Sequence, residues 1–200
     1  MMQNKYLFGI TGGTGSGKSQ VSQIIRDMGY CVIDCDLVSR QITQKGTPCL
    51  SELAKEFGSD IISHEGELLR RKLGEIVFSD RESLEKLNRI THKYILDEIY
   101  AQAQSAPSHV VGIDGAVLFE SGITKSLKKI IGIIADEDIR VSRIVKRDGI
   151  SPETAKNRIN SQKDNKFYID NCDFVIYNNG KFEDLAREVR EVVEKLDAQE

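Results

Sequence analysis

A run of eight residues near the start of the chain carries the clearest chemical signal of the sequence. Residues 12–19 read GGTGSGKS and match the pattern G-x-x-x-x-G-K-[ST] in full. An apolar segment at 6–10 precedes this run, and an amphipathic segment at 19–28 follows it. A strand, a glycine-rich loop and a helix in this order form a phosphate-binding loop. The pattern therefore predicts a protein that binds a nucleoside triphosphate.

Each residue type in this loop suits contact with phosphate. Glycines let the backbone approach the phosphate oxygens and turn successive N–H groups inward. The N-terminus of the following helix adds positive potential. We predict that Lys18 reaches the β- and γ-phosphates of ATP and that the Ser19 hydroxyl ligates Mg²⁺. The predicted ATP contacts of the loop are Gly12, Gly13, Thr14, Gly15, Ser16, Gly17, Lys18 and Ser19.

Carboxylates stand at the ends of two predicted strands. Asp34 and Asp36 end one of them, Arg40 follows Asp36 by one helical turn, and Asp114 ends another. Phosphoryl transfer to an alcohol uses a carboxylate that orients the hydroxyl and accepts its proton. In open parallel sheets such strand ends lie at the ligand-binding edge. Asp34, Asp36 and Asp114 are therefore the candidate bases, and the spacing of Asp36 and Arg40 indicates a base beside a cation suited to an anionic acceptor. The alternative is that Asp34 or Asp36 only caps the next helix.

Three arginines further along share one face of a predicted helix. Arg140, Arg143 and Arg147 have the required spacing, and Asp148-Gly149 follows them. A lid that presents arginines to the transferred phosphoryl group has this pattern. The alternative is a solvated helix face, where lysine and arginine are common.

The elements that position these residues alternate between strand and helix. Helical patterns lie between the apolar segments, and the last one carries an apolar stripe at the helical spacing. Near-continuous apolar segments are typical of parallel strands covered on both faces. The alternation predicts an α/β fold with a five-stranded parallel sheet flanked by helices. The predicted strands are 5–10, 30–34, 109–114, 129–135 and 173–177, and the stripe consists of Phe182, Leu185, Ala186, Val189, Val192, Val193 and Leu196.

The long interval between the second and third predicted strands contains no convincing strand but several helical patterns. One of them begins at Ser79-Asp80-Arg81-Glu82, which resembles a capping box. We interpret residues 41–105 as a helical insertion that closes over the substrate, and a longer crossover with extra helices is the alternative. The predicted core is then 1–40 with 106–200, and the arginine lid covers about 138–168.

Composition sets limits on the partners. The chain of 200 residues has a net charge of −3 and gives no broad electrostatic reason to expect nucleic-acid or membrane binding. Its apolar runs are far shorter than the roughly 18 residues of a membrane span, and its first residues lack a signal peptide. We predict a cytoplasmic protein without an obligate protein partner. The cysteines, which form no CxxC pair, are predicted to be buried thiols rather than metal ligands with His64 or His92; they are Cys31, Cys35, Cys49 and Cys172.

Together these residues resemble the dephospho-coenzyme A kinase family over nearly the whole chain. The phosphate loop with the preceding Ile10-Thr11 resembles the loop of that family, and residues 32–40 (VIDCDLVSR) are similar to its V-I-D-A-D-x-x-A-R segment. Residues 66–73, 77–78 and 87–92 resemble its insertion, and residues 118–122 match the end of its P-L-L-F-E-S-G segment. Gln162 fits the lid region and residues 175–180 the adenine-side turn. The departures are Lys93 for proline, Ala116-Val117 for Pro-Leu, Gln20 for a common threonine, and Tyr177 for a common aspartate.

The resemblance implies a three-layer fold of the P-loop kinase type and residue roles that follow the matching positions. The reaction it implies is transfer of the γ-phosphate of ATP to the ribose 3′-hydroxyl of dephospho-coenzyme A, which gives coenzyme A and completes its biosynthesis. ATP and Mg²⁺ are the implied cofactors, and Gln20, Arg143 and Asn178 are further ATP contacts. The implied catalytic residues are Asp36, Lys18, Arg143 and Arg147, and the expected substrate contacts are Asp36, Arg40, His92 and Asp114.

Three other readings of the phosphate loop stay open from the sequence. A kinase for a nucleoside or nucleotide would share the loop and the lid. A regulatory ATPase or GTPase is disfavoured because the chain has no Asn-Lys-x-Asp motif and reads DGAV, not Asp-x-x-Gly, at residues 114–117. A nucleotide-binding module without turnover is compatible with the motif alone.

Overall fold

Five strands form one sheet, in the spatial order β2-β3-β1-β4-β5. The structure is a computed structural model that describes residues 5–120 and 122–197. Ser121 of the segment compared above, and residues 1–4 and 198–200 of the predicted core, lie outside this range. The strands are β1 (Tyr6–Gly12), β2 (Cys31–Asp34), β3 (Val110–Asp114), β4 (Lys129–Ile134) and β5 (Phe174–Tyr177). Pairing is parallel, as for β1 with β3 and β4, and the predicted α/β fold is confirmed.

Helices connect the strands and cover the sheet. Ser151 caps its helix by accepting a hydrogen bond from the Thr154 N–H, and Pro152 follows as the first helical residue. In chain order the α-helices are α1 (Lys18–Asp27), α2 (Cys35–Gln41), α3 (Pro48–Phe57), α4 (Arg70–Ser79), α5 (Arg81–Ser105), α6 (Glu137–Asp148), α7 (Pro152–Asn160), α8 (Asn165–Asn171) and α9 (Phe182–Asp197). Short 3₁₀ helices occur at Ser59–Ile61 and Ile123–Ser126.

The core of the sheet unit joins β1, α1 and α9. Phe8 and Ile10 of β1 are fully buried, and the apolar face of α1 packs in the same cluster as the predicted stripe of α9. Phe182 is the exception in that stripe, because 55% of it is exposed. It is the first residue of α9, and helical side chains point back toward the N-terminus, so its ring extends beyond the packed part of the helix.

The chain divides into two compact units. One contains the residues up to Ile33 and from Ala106 onward, and the other contains Asp34–Ser105. The second unit therefore begins at Asp34 rather than at residue 41, and Asp36 and Arg40 belong to it. Within the second unit, α5 is a helix of 25 residues.

The cap of α5 differs from the predicted one. Asp80, not Ser79, accepts hydrogen bonds from the N–H groups of the first turn, at 2.8 Å from Ser83. Ser79 is instead the last residue of α4, and its hydroxyl donates to the Ile76 carbonyl at 2.9 Å. Because α4 ends at Ser79 and α5 begins at Arg81, two polar residues, Ser79 and Asp80, lie where the sequence pattern predicted one cap.

Two properties of residues 5–120 and 122–197 bear on the predicted partners. None of their helices is both long enough and apolar enough to cross a bilayer. They also contain no group of three or more histidine, cysteine or acidic residues that could bind a metal ion. All four cysteines are free thiols, and burial raises the pKa of Cys49 to about 11.

Candidate active site

The phosphate loop leaves β1 and enters α1 through a left-handed glycine. Gly17 precedes α1 with φ +94°, and no side chain caps this helix N-terminus. Gly12 is required for packing as well, because a Cβ there would lie 2.4 Å from the Ile133 carbonyl oxygen. The Thr11 and Ser16 hydroxyls are buried without a hydrogen-bond partner among the described residues. Uncapped backbone N–H groups at a helix N-terminus are suited to bind phosphate oxygens.

Lys18 and Asp114 form an ion pair at the start of α1. The Lys18 ammonium contacts Asp114 Oδ1, and the Ser22 hydroxyl donates to Asp114 Oδ2 at 2.6 Å. Asp114 is only 5% exposed, so both of its oxygens face protein groups rather than open solvent. The strand-end carboxylate that we expected at the substrate is thus directed to the phosphate-loop lysine.

The donor atoms around Asp114 suit a magnesium ion. Ser19 lies in the first turn of α1 and is exposed, and Ser22, one turn later on the same face, contacts Asp114. Hydroxyl and carboxylate oxygens are the hard ligands that Mg²⁺ prefers, with the phosphates and water completing its coordination. Ser19 and Asp114 therefore fit the predicted ion.

Arg143 supports the phosphate loop by donating hydrogen bonds to its backbone carbonyl groups. Its Nη1 donates to the carbonyl oxygens of Gly15 and Ser16, both at 3.3 Å, and its Nη2 donates to the carbonyl and the side-chain oxygen of Asn178 at 3.1 and 3.2 Å. Asn178 is 3% exposed, and its amide donates to the Ser16 carbonyl at 2.9 Å. Partial burial lowers the pKa of Arg143, although arginine stays protonated at neutral pH. The arginine and the asparagine therefore hold the loop through its carbonyl groups.

Arg140 is the lid arginine whose guanidinium keeps an unpaired nitrogen. Its Nε donates to the Thr14 carbonyl at 2.9 Å, and its Nη1 lies 3.5 Å from Asn165 Oδ1. Its Nη2 has no partner among the described residues, although the side chain is only 3% exposed. A Cβ on Gly13 would lie 2.6 Å from that nitrogen. Burial lowers the pKa of Arg140, and a buried cation with a free donor is suited to an anionic ligand.

Arg147 faces a different partner. It is exposed, and its guanidinium donates to both oxygens of Asp148, at 2.7 and 2.9 Å. Arg158 of α7 contacts the same carboxylate. These hydrogen bonds, first that of Arg147, lower the pKa of Asp148 to about 2. The three arginines of the predicted helix face therefore make three different sets of contacts. Their spacing in the sequence does not distinguish Arg140 from the other two.

In the second unit the two aspartates near the start of α2 have different surroundings. The Asp34 carboxylate caps α2 by accepting from the N–H groups of Asp36 and Leu37, at 2.8 and 3.1 Å. Asp36 lies in the first turn and is exposed, and within its own unit its carboxylate has no hydrogen-bond partner among the described residues. Arg40, also exposed, follows at the i+4 position on the same face. The capping alternative therefore applies to Asp34.

His92 lies on α5 of the same unit. Its ring is partly buried, and this burial lowers the pKa of its imidazole below the ordinary value of 6.5. The residue is therefore mainly neutral at pH 7, with one nitrogen that donates and one that accepts hydrogen bonds.

The parallel sheet has a phosphate loop after its first strand and a loop lysine paired with a strand-end aspartate. This arrangement is the fold of the P-loop nucleotide-binding proteins. Likeness to a shikimate kinase of Acinetobacter baumannii supports this fold, with a TM-score of 0.56 and 14% identity over 97% of this chain and 96% of that one. The family model for dephospho-CoA kinase matches residues 6–184. The chain belongs to the dephospho-CoA kinase family.

Relatives with this name match along their whole length. A dephospho-CoA kinase of Fusobacterium nucleatum is 37% identical over 95% of this chain and 98% of its own. One of Geobacillus kaustophilus is 35% identical over 96% and 97%. Among solved structures, a Thermus thermophilus protein has a TM-score of 0.81 at 29% identity, covering 96% and 98% of the two chains. A dephospho-CoA kinase of Campylobacter jejuni has a TM-score of 0.68 at 28% identity, covering 95% and 96%.

The family fixes the reaction class. The protein is a kinase of coenzyme A biosynthesis that phosphorylates dephospho-CoA at the expense of ATP, and the predicted family and enzyme activity are confirmed.

Proposed function

We propose that Asp36 is the general base that activates the ribose 3′-hydroxyl of dephospho-CoA. The observation that carries this assignment is the division of roles at α2, where Asp34 makes the capping bonds and Asp36 remains an exposed carboxylate. A base must be able to approach the hydroxyl whose proton it accepts. Asp36 meets that requirement in its own unit, whereas Asp34 is engaged by backbone N–H groups.

The transfer can be written with each group in a defined role. The proton of the 3′-hydroxyl moves to an Asp36 oxygen as the ribose oxygen forms a bond to the γ-phosphorus. The bond between that phosphorus and the bridging oxygen breaks, and ADP leaves. Lys18 neutralises charge on the β- and γ-phosphates, and the free Nη2 of Arg140 offsets charge on the transferred group. Bound Mg²⁺, held by Ser19 and Asp114, would supply further neutralisation of the phosphates.

These assignments modify three of the expected roles. We assign Asp114 to Lys18 and the metal ion rather than to the substrate, because its carboxylate is buried against Lys18 and Ser22. We assign Arg143, with Asn178, to the support of the loop, because its guanidinium donates to loop carbonyls. Arg140 takes the phosphoryl-binding role from Arg143 and Arg147.

The acceptor contacts follow from charge and hydrogen-bonding capacity. Arg40 is an exposed cation, which suits the anionic diphosphate of dephospho-CoA. A neutral His92 can donate a hydrogen bond to dephospho-CoA or accept one from it. Cytoplasmic location, and independence from nucleic acid, membrane and obligate protein partners, stay predictions.

A coupled assay of ADP release tests the choice of acceptor. The purified protein is given ATP and Mg²⁺ with dephospho-CoA, and in parallel with a panel of nucleosides and nucleotides. We expect dephospho-CoA to accelerate ADP release far above background hydrolysis and above every member of the panel. Acceleration by a nucleoside or nucleotide alone would assign the protein to a different acceptor.

A further inference from the structure

Thr14 lies in the phosphate loop, and both polar groups of its backbone are bonded to side chains far along the chain. Its N–H donates to Gln162 Oε1 at 2.7 Å, and its carbonyl accepts from Arg140 Nε at 2.9 Å. Arg140 lies on α6, and Gln162 lies in the connection between α7 and α8. Two separate segments of the predicted lid therefore form hydrogen bonds with one residue of the loop.

We propose that Gln162 is a positioning residue that couples the lid to the phosphate loop and so directs the γ-phosphate to the acceptor rather than to water. This inference rests on the function proposed above. The phosphate loop and α6–α8 all belong to the same compact unit of the chain.

The lid lies directly on the loop at this point. A Cβ on Gly13 would come within 2.6 Å of Arg140 Nη2 and 3.5 Å of Gln162 Oε1. The two side chains thus cover the Gly13–Thr14 segment with no space for a larger residue. A lid that covers a phosphate site can keep water away from the reacting phosphates, which is one function of lids in phosphoryl transfer.

The position of Gln162 is tied to that of the whole lid. Its own N–H donates to the Ile159 carbonyl at 3.1 Å, which fixes it to the end of α7. In turn, α7 is joined to α6 by the contact of Arg158 with Asp148 and by an apolar cluster of Val141, Ile144, Ala155 and Ile159. Because these helices are packed together, displacement of the lid would break the hydrogen bond from Thr14 to Gln162.

A glutamine is chemically suited to this position. Its amide oxygen accepts the loop N–H without bringing negative charge toward the phosphates. A glutamate would accept the same hydrogen bond but would repel ATP. A methionine has a similar length and no strong acceptor. These two replacements therefore separate the hydrogen bond from the charge.

The test measures how many molecules of ADP form for each molecule of coenzyme A. Wild type, Gln162→Met, Gln162→Glu and Asn157→Ala are compared with ATP, Mg²⁺ and dephospho-CoA, and the KM for ATP is measured for each. Asn157 is an exposed residue of α7 and is the matched control. We expect Gln162→Met to raise the ratio of ADP to coenzyme A by roughly two- to tenfold, since one hydrogen bond is lost. Gln162→Glu should keep the ratio close to wild type with a higher KM for ATP, and Asn157→Ala should match wild type in both.

Two results would overturn the coupling role. One is an unchanged ratio in Gln162→Met, and the other is an equal increase in Gln162→Met and Gln162→Glu. Thermal unfolding checks that each variant is folded, and Gln162→Ala replaces Gln162→Met if the latter is not. Failure of wild type to form coenzyme A would instead contradict the proposed function, so the two failures are distinguishable.

Discussion

Two aspartates only two residues apart are expected to respond differently to the same substitution. Asp36→Asn removes the proposed base and should lower kcat by roughly 10²–10⁴. ATP binding should change little, because this residue is assigned to the acceptor. Steady-state kinetics with dephospho-CoA and a titration with ADP measure the two quantities separately.

Asp34→Asn is the matched control for that experiment. Asparagine caps helices about as well as aspartate, so the variant should keep α2 and nearly all of the activity. A loss of kcat in Asp34→Asn as large as in Asp36→Asn would move the base to Asp34. Wild-type turnover in Asp36→Asn would leave Asp36 without a catalytic role.

The lid arginines provide a second contrast at the level of single residues. Arg140→Ala removes the buried guanidinium with the free Nη2 and should lower kcat by roughly 10²–10³, the cost of losing one preorganised donor. Arg147→Ala removes an exposed pair with Asp148 and should change kcat by about fivefold at most. Single-turnover measurements on folded variants decide between them. Equal losses would contradict the assignment of the phosphoryl-binding role to Arg140 rather than Arg147.

The sequence identifies these residues as candidates but does not show which role each of them has. Asp34 and Asp36 are both good capping residues, and only the hydrogen bonds to Asp34 reveal which one caps α2. Likewise, Arg140, Arg143 and Arg147 are equivalent in spacing. The roles of Arg140 and Arg143 depend on carbonyl groups of the phosphate loop, far away in the chain, and such contacts leave no local signal.

At the level of elements, the junction between the phosphate loop and α1 depends on one glycine. A Cβ on Gly17 would lie 2.0 Å from Asn178 Nδ2, the atom that donates to the Ser16 carbonyl. We expect Gly17→Ala to displace Asn178, to weaken ADP binding by at least about tenfold and to destabilise the fold by about 2–4 kcal/mol, as strain adds to overpacking. Urea unfolding and an ADP titration measure both effects.

Gly29 is the natural control for Gly17. It has the same φ of +94° just after α1, but a Cβ there would meet nothing within 4 Å. Gly29→Ala should therefore show only the left-handed strain, about 1–2 kcal/mol, with ADP binding intact. Equal destabilisation of the two variants would mean that the contact with Asn178 contributes little.

A pH effect is expected from α5. Burial holds the pKa of His92 below 6.5 in the folded protein, so the unfolded chain takes up a proton first as the pH falls. Folding stability should then be retained above about pH 6.5 and decrease as the pH falls toward the lower pKa of folded His92. His92→Asn should reduce this decrease in urea unfolding between pH 7.5 and 5.5, whereas His64→Asn, at an exposed position, should not. An unchanged decrease in His92→Asn would show that other groups cause it.

Elements were predictable where burial dominates the pattern. All five strands lie where continuous apolar segments predicted them. The inner strands β1, β3 and β4 are buried almost along their whole length, and strands covered on both faces cannot tolerate polar residues. Caps and helix ends were less predictable. Ser79 and Asp80 are both suitable caps, and the choice of Asp80 depends on where α4 ends. Phe182 matches the stripe of α9 in spacing but extends beyond its packed region.

At the scale of the molecule, the assigned roles follow the division of the chain. The residues assigned to ATP lie in the unit that carries the sheet, and those assigned to dephospho-CoA lie in Asp34–Ser105. Most of the second unit was recognisable in the sequence as an interval without strands. Its first residue was not, because β2 leads into α2 without a loop and no change of composition marks Asp34.

The destination of the γ-phosphate tests the central claim most directly. The protein is incubated with ATP labelled on its γ-phosphate, Mg²⁺ and dephospho-CoA, and the labelled products are separated. We predict that the label appears in coenzyme A and that a 3′-nucleotidase removes it. Label found only in inorganic phosphate, or at another position of the product, would contradict the proposed transfer to the ribose 3′-hydroxyl.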